Sequence, residues 1–242
     1  MANPEIQLAW GGGSWPSNQR KIVRPTVQTA IDFCGLTYDE IGLSYRLPKV
    51  VNVWRCGRNE DTWGTSDGPT SIDLHVRADH IKHRKVGLFF AEYALATGHE
   101  LAHAVRSEYF NFRSLIEDIA SEGLAYVIED TLDRVIFGDE NSMLLADLKQ
   151  LYSSDEGYSE IRKRLLQNRN HTWSADAKHD DVRDSWLETG GDTPPDGLIV
   201  GITEVQRRLQ EGNTIIDLMA MPAEHILDLN PREMQTEEAI NA

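Results

Sequence analysis

The chain is short of cysteine, short of basic residues and without a long apolar run. Its 242 residues include two cysteines, Cys34 and Cys56, which form neither a disulfide framework nor a zinc-ligand spacing. Lysine and arginine number 24 against 39 acidic residues, a formal net charge of −15, whereas contacts to nucleic-acid phosphates require clustered positive charge. We therefore expect two small buried cysteines and no nucleic-acid partner.

The pattern of the N-terminal segment does not predict a targeting signal. Residues 1–21 have neither the charged start nor the apolar centre of a secretory signal, and no stretch matches the roughly 20 apolar residues that span a bilayer. We expect a cytoplasmic protein without a membrane partner. With 40% hydrophobic residues, the length predicts one domain over residues 1–230 and a polar, flexible tail at 231–242.

The stretch "TGHELAHAVR" at 97–106 places His99 and His103 four residues apart. No proline interrupts residues 84–107, and an apolar stripe recurs there at helical spacing: Phe90, Ala94, Thr97, Leu101 and Val105. In a helix both imidazoles lie on the face opposite this stripe, where they can converge on one metal ion. The alternative is a solvated polar face. Gly98, unfavourable within a helix, predicts that another group packs closely beside it.

A catalytic zinc site uses three protein ligands and a water molecule, so a third ligand is required. Residues 114–138 predict a second helix, with a capping box at Ser114 and Glu117 and a C-terminal Gly138. Glu122 lies in its second turn, 19 positions after His103. Its helical face also carries Asp118, Tyr126, Glu129 and Asp133.

The remaining pattern favours an α+β fold. Residues 49–57 and 70–78 have the composition or alternation of strands, and the polar stretch between them predicts a loop. Further helices are predicted at 25–35, 141–152, 159–168, 198–211 and 222–228. We expect a small N-terminal sheet, then the zinc-binding helix pair, then a mostly helical C-terminal part.

Taken together, these motifs resemble a known class. His-Glu-x-x-His at 99–103 followed by "EGLA" at 122–125 resembles the gluzincin clan of metallopeptidases, although Ser121 stands where the gluzincin aminopeptidases have asparagine. "ATGHELAHAVR", "SEGLAY" and "GLIVGITEVQRRLQEGNTIIDLMAMPAEHIL" resemble the DUF2268 family of predicted zinc-dependent proteases over about residues 45–228. This resemblance implies a zincin-like domain that cleaves peptide or protein substrates.

The resemblance also implies residue roles. His99, His103 and Glu122 would bind one Zn²⁺ per chain, and Glu100 would be the general base. Ligand histidines usually donate their second ring N–H to a carboxylate, and Asp118 is the candidate because it lies on the Glu122 face one turn earlier. Some gluzincins use an aspartate one turn after the ligand glutamate for this purpose, but here Tyr126 occupies that position.

The oxyanion donor is left open by the sequence. Relatives often carry Gly-Tyr where this chain has Gly197-Leu198, so the possible donors are Tyr158, His171 and His179.

The strand at 70–77 directly precedes the zinc helix, and in gluzincins such a strand commonly forms the rim of the cleft. We predict that its free edge binds an extended peptide; the alternative is an interior strand with both neighbours filled. Two other functions remain open. One is a zinc-stabilised binding or regulatory domain without catalysis, and the other is a metal-dependent amidohydrolase acting on a non-peptide amide.

Overall fold

The fold is known from a computed structural model, which describes residues 7–11, 15–42, 48–56, 63–66, 68–77, 86–110, 113–138, 155–173, 180–187 and 195–229. These residues form a mixed α+β structure in which a four-stranded sheet from the N-terminal part is combined with a larger number of helical residues. The predicted α+β class with a small N-terminal sheet is confirmed.

The chain divides into two compact units. The first comprises residues 1–109 and 125–146, and the second comprises residues 110–124 and 147–242. A single domain over residues 1–230 stays a prediction, and the predicted tail at 231–242 lies outside the described residues.

The sheet contains β1 (Gln7–Trp10), β2 (Val50–Cys56), β3 (Trp63–Ser66) and β4 (Ser71–Arg77) in the order β1-β2-β4-β3. Strands β1, β2 and β4 are parallel, whereas β3 runs antiparallel to β4. One face is apolar because alternate residues point the same way. The fully buried members of that face on β2 and β4 are Val51, Val53, Ile72, Leu74 and Val76.

Two expectations about this sheet are wrong. Strand β4 pairs with β2 on one side and with β3 on the other, so the segment at 70–77 is interior and offers no free edge. The predicted loop contains β3, and β1 was not predicted at all. Both missed strands have only four residues, and pairing with a neighbouring strand, which local pattern does not reveal, determines their conformation.

The described helices are α1 (Ser17–Glu40), α2 (Val86–Ser107), α3 (Leu115–Phe137), α4 (Asp155–Asn168), α5 (Asp181–Leu187), α6 (Asp196–Gln210), α7 (Ile215–Met219) and α8 (Ala223–Ile226). The predicted helices at 84–107, 114–138, 159–168, 198–211 and 222–228 are confirmed with small shifts of their ends. Helix α1 is longer than the predicted 25–35, and α5 and α7 were not predicted. The helix predicted at 141–152 lies outside the described residues. Within the described chain, none of the helices combines the length and apolar character needed to cross a bilayer.

In the first unit, α1 is attached to the backbone of α2. Cys34 Sγ donates to the carbonyl of Ala94 at 3.4 Å, and Tyr38 Oη donates to the carbonyl of Gly98 at 2.8 Å. Burial raises the pKa of the Cys34 thiol to about 12, so this thiol is a neutral donor. The predicted burial of Cys34 is confirmed, whereas that of Cys56, whose side chain lies outside the described part of the chain, stays a prediction. A Cβ atom at Gly98 would overlap Leu132 Cδ1. The close packing predicted beside His99 is confirmed.

In the second unit, the start of α3 is fixed by its neighbours. The backbone N–H of Leu115 donates to the carbonyl of His171 at 3.1 Å, and Glu117 Oε1 accepts from the N–H of Ala223 at 3.1 Å. Further along, Gly123 and Gly201 let α3 and α6 meet backbone to backbone, since a Cβ on either glycine would overlap main-chain atoms of the other helix. Helix α3 is continuous and supplies residues 115–124 to this unit and 125–137 to the first.

Candidate metal centre

Helix α2 brings His99 and His103 together. Their Nε2 atoms lie 3.1 Å apart, and the ring centroids are separated by 4.8 Å. Both side chains are partly exposed, whereas Leu101 and Val105, which point away from them, are fully buried. The predicted arrangement, an apolar stripe on one side of the helix and two histidines on the other, is confirmed.

Glu129 on α3 fixes the orientation of the His99 ring. Its Oε2 atom lies 3.1 Å from His99 Nδ1, and both side chains are about 15% exposed. When Nδ1–H donates to this carboxylate, the Nε2 atom keeps its lone pair and faces His103. Tyr126 packs edge-on against the His99 ring at a centroid distance of 4.9 Å. The imidazole is therefore oriented as a metal ligand would be.

Glu122 lies on α3, four residues before Tyr126 and seven before Glu129. The ligand atoms of His99, His103 and Glu122 all lie within 4.8 Å of one another, and all three residues are partly exposed. The three residues predicted from the sequence thus form a group that can hold a metal ion.

Glu100 is more buried than His99 and His103, with an exposed fraction of 6%. Two residues of the first unit interact with it. A Cβ atom at Gly64 in β3 would overlap Glu100 Cγ and lie 2.9 Å from Cδ and Oε1. Burial, followed by the charges of Cys34 and Glu100, raises the pKa of Tyr38 above its ordinary value. Glu100 is therefore enclosed by β3 on the sheet and influences a buried tyrosine of α1.

The carboxylate on His99 Nδ1 is Glu129, not the predicted Asp118. Asp118 Oδ2 instead accepts from Arg183 Nε at 2.7 Å. Burial lowers the pKa of Arg183. The hydrogen bond to Asp118 and the charges of Asp118, Asp184 and Glu122 raise it by more than burial lowers it, so the net shift of the pKa is upward. Arg183 is thus a firmly charged cation in the surroundings of Glu122. The sequence already placed Glu129 on the helical face of Glu122, two turns further along α3. That spacing is the one sequence signal that could have identified Glu129 as the partner of His99.

The proposed oxyanion donors have local partners in the second unit. Tyr158 Oη donates to Glu204 Oε1 at 2.6 Å, and burial raises the tyrosine pKa well above its ordinary value. His171 Nε2 lies 2.7 Å from Asp180 Oδ1, which also accepts from two backbone N–H groups at the start of α5. His179 lies outside the described residues. The identity of the oxyanion donor therefore stays open.

No protein-family model, curated protein or solved structure matches the chain.

Proposed function

We propose that the protein is a zinc-dependent metallopeptidase of the gluzincin kind, with His99, His103 and Glu122 as zinc ligands and Glu100 as the general base. The observation that carries this proposal is the histidine pair, whose Nε2 atoms lie 3.1 Å apart while Glu129 occupies His99 Nδ1. A carboxylate from α3 completes the group.

The donor set fits zinc. In a tetrahedral site with zinc–nitrogen bonds of about 2.0–2.1 Å, two ligand nitrogens lie about 3.4 Å apart, close to the 3.1 Å between the histidine Nε2 atoms. The full group spans no more than 4.8 Å, which small rotations of the side chains would contract to that separation. Two neutral imidazoles and one carboxylate are zinc ligands, and a three-residue set leaves a coordination position for water.

Zinc bound there would acidify a water molecule and polarise the scissile carbonyl. Glu100 would accept the proton from the attacking water and then donate it to the leaving amine, a role that needs the carboxylate within hydrogen-bond reach of both. Low exposure favours this role because an enclosed carboxylate does not exchange its proton freely with bulk water.

The strand beside Glu100 supports an extended peptide as the substrate. Among the described strands β3 is paired on one side only, with β4, and its Gly64 lies against the Glu100 side chain. An extended peptide can bind to an unpaired strand edge through backbone hydrogen bonds. We therefore transfer the substrate-binding edge from β4, where the sequence placed it, to β3.

The test combines metal analysis with cleavage of an extended-peptide library. His99→Ala, His103→Ala and Glu122→Ala should each lose zinc. Glu100→Gln should retain zinc and lose about 10²–10⁴-fold in kcat, because it cannot take up the proton. Glu108→Gln, an exposed glutamate just beyond α2, is the matched control and should keep both zinc and activity. Equal turnover by Glu100→Gln and the unsubstituted protein would contradict the mechanism.

Two outcomes would redirect the assignment. Tight zinc binding without cleavage of any peptide or acyl amide favours a zinc-stabilised binding or regulatory domain. Cleavage of small acyl amides but not of peptides favours an amidohydrolase.

A further inference from the structure

Position 64 requires glycine because there is no room for a side chain, not because of its backbone conformation. Gly64 is opposite Leu74 in the β3–β4 ladder, and Leu74 belongs to the buried face of the sheet. The positive-φ glycines of the described chain are Gly42, Gly138 and Gly212, so the backbone at Gly64 would accept a side chain. What excludes a side chain is Glu100, whose Cγ a Cβ atom would overlap and whose Oε1 it would approach to 2.9 Å.

If a methyl group were added at position 64, the Glu100 side chain would have to move. Strand β3 is held by a four-residue ladder with β4. The backbone of α2 beside Glu100 is held by the hydrogen bonds from Cys34 and Tyr38. The carboxylate arm of Glu100 is the movable part, yet only 6% of the residue is exposed, so the arm would have to move within a buried environment.

We propose that Gly64 is the positioning residue for Glu100: the missing side chain leaves the space in which the carboxylate is held. Strand β3 thereby both borders the substrate path and selects the rotamer of the general base. The catalytic part of this inference rests on the proposed function, whereas the steric part concerns the fold alone. A displacement of about 1 Å at a catalytic group can cost about 10²-fold in rate.

The first experiment is Gly64→Ala with kinetics and metal analysis. Zinc should stay at one ion per chain, kcat should fall about 10²-fold, and KM should change less than about threefold, because the base is displaced while the ligands are not. Gly138→Ala is the control: among the described residues no atom lies within 4 Å of its Cβ position, but its φ of 85° makes alanine strained. It should lower the melting temperature without lowering kcat.

A double-mutant cycle isolates the contact independently of catalysis. In the protein that retains Glu100, Gly64→Ala should lower the melting temperature by about 3–8 °C, because the added methyl group overpacks the site. In a Glu100→Ala background it should lower the melting temperature by less than about 2 °C, because the Cγ atom with which the methyl group would overlap is absent. If Gly64→Ala alone does not fold, folding of the double variant supports the proposal.

The outcomes separate the two levels of the inference. An equal loss of melting temperature in both backgrounds, or two variants that both fail to fold, overturns the contact. Coupled stability with unchanged kcat overturns the positioning role. If the unsubstituted protein cleaves no peptide, the proposed function fails, and the melting-temperature cycle still decides whether Gly64 holds Glu100 in place.

Discussion

Helix α2 and the first half of helix α3, residues 115–124, supply the candidate metal ligands but are held in different ways. Helix α2 depends on apolar burial and on two neutral hydrogen bonds from Cys34 and Tyr38 to its carbonyl groups. The first half of α3 also buries apolar residues, Leu115, Ile119 and Leu124, but it adds charged contacts: Asp118 with Arg183, and Glu117 with the N–H of Ala223. The contacts that Cys34 and Tyr38 make with α2 should therefore be insensitive to salt, and the contact of Asp118 with Arg183 should be sensitive to it.

The two helices also differ in what their glycines meet. At Gly98 of α2, an added Cβ would overlap a methyl group of Leu132, which is the end of a side chain. At Gly123 of α3, it would overlap the carbonyl of Gly201 and lie 2.7 Å from its Cα, which are main-chain atoms. A side chain can change rotamer, whereas two helix backbones can only separate. An added methyl group should therefore be tolerated less well at Gly123 than at Gly98.

The largest effect on stability should come from this glycine pair. Gly201→Ala should lower the free energy of unfolding by about 3 kcal/mol or more, because α3 and α6 must separate. Gly98→Ala should cost only about 1–2 kcal/mol, since Leu132 can adjust and alanine favours the helix by about 1 kcal/mol. Urea unfolding measures both values.

Gly212→Ala serves as the control for the glycine pair, because no described residue comes within 4 Å of its Cβ position, so its φ of 96° is what opposes alanine. It should cost about 1–2 kcal/mol. Equal costs for Gly98→Ala and Gly201→Ala would remove the distinction between side-chain and backbone contacts.

The second half of α3 should support the histidine pair through one carboxylate. Glu129→Ala should weaken zinc binding about 10–100-fold, because His99 would lose the acceptor that fixes its ring and strengthens Nε2 as a ligand. Competition with a chelator measures the zinc affinity. Val135→Ala, at an exposed position on the same helix, should leave the affinity unchanged. An affinity of Glu129→Ala equal to that of the unsubstituted protein would mean that His99 is oriented by other contacts.

The helix pair could be predicted from sequence because its signals are local. Both helices have helical apolar spacing, and α3 also has start and stop residues, so their ends fall within two residues of the predicted positions. The grouping of His99, His103 and Glu122 followed from the motif and its spacing. Their close approach needed only that a short connection return α3 beside α2.

The edges of the sheet and the partner of His99 could not be predicted in this way. Strands β1 and β3 carry little pattern of their own and depend on pairing with residues distant in sequence. Choosing Glu129 over Asp118 requires the position of α3 along α2, because both carboxylates occupy the same helical face. The contact of Gly64 with Glu100 depends on strand β3, which was not predicted, so this contact could not be predicted from the sequence either.

The smallest effect should separate the charged support of α3 from the neutral support of α2. Asp118→Asn should cost about 1 kcal/mol in unfolding free energy at low salt, since its partner Arg183 is 39% exposed and solvent weakens the pair. This cost should shrink as the ionic strength rises from about 0.1 M to about 1 M and the Debye length falls from about 10 Å to about 3 Å. Tyr38→Phe removes a buried neutral hydrogen bond and should also cost about 1 kcal/mol, but equally at both salt concentrations. Urea unfolding of both variants at the two salt concentrations makes the comparison. A salt-independent cost at Asp118 would show that its contact with Arg183 acts as a hydrogen bond with little charge contribution, and the contrast between the two helices would then be one of packing alone.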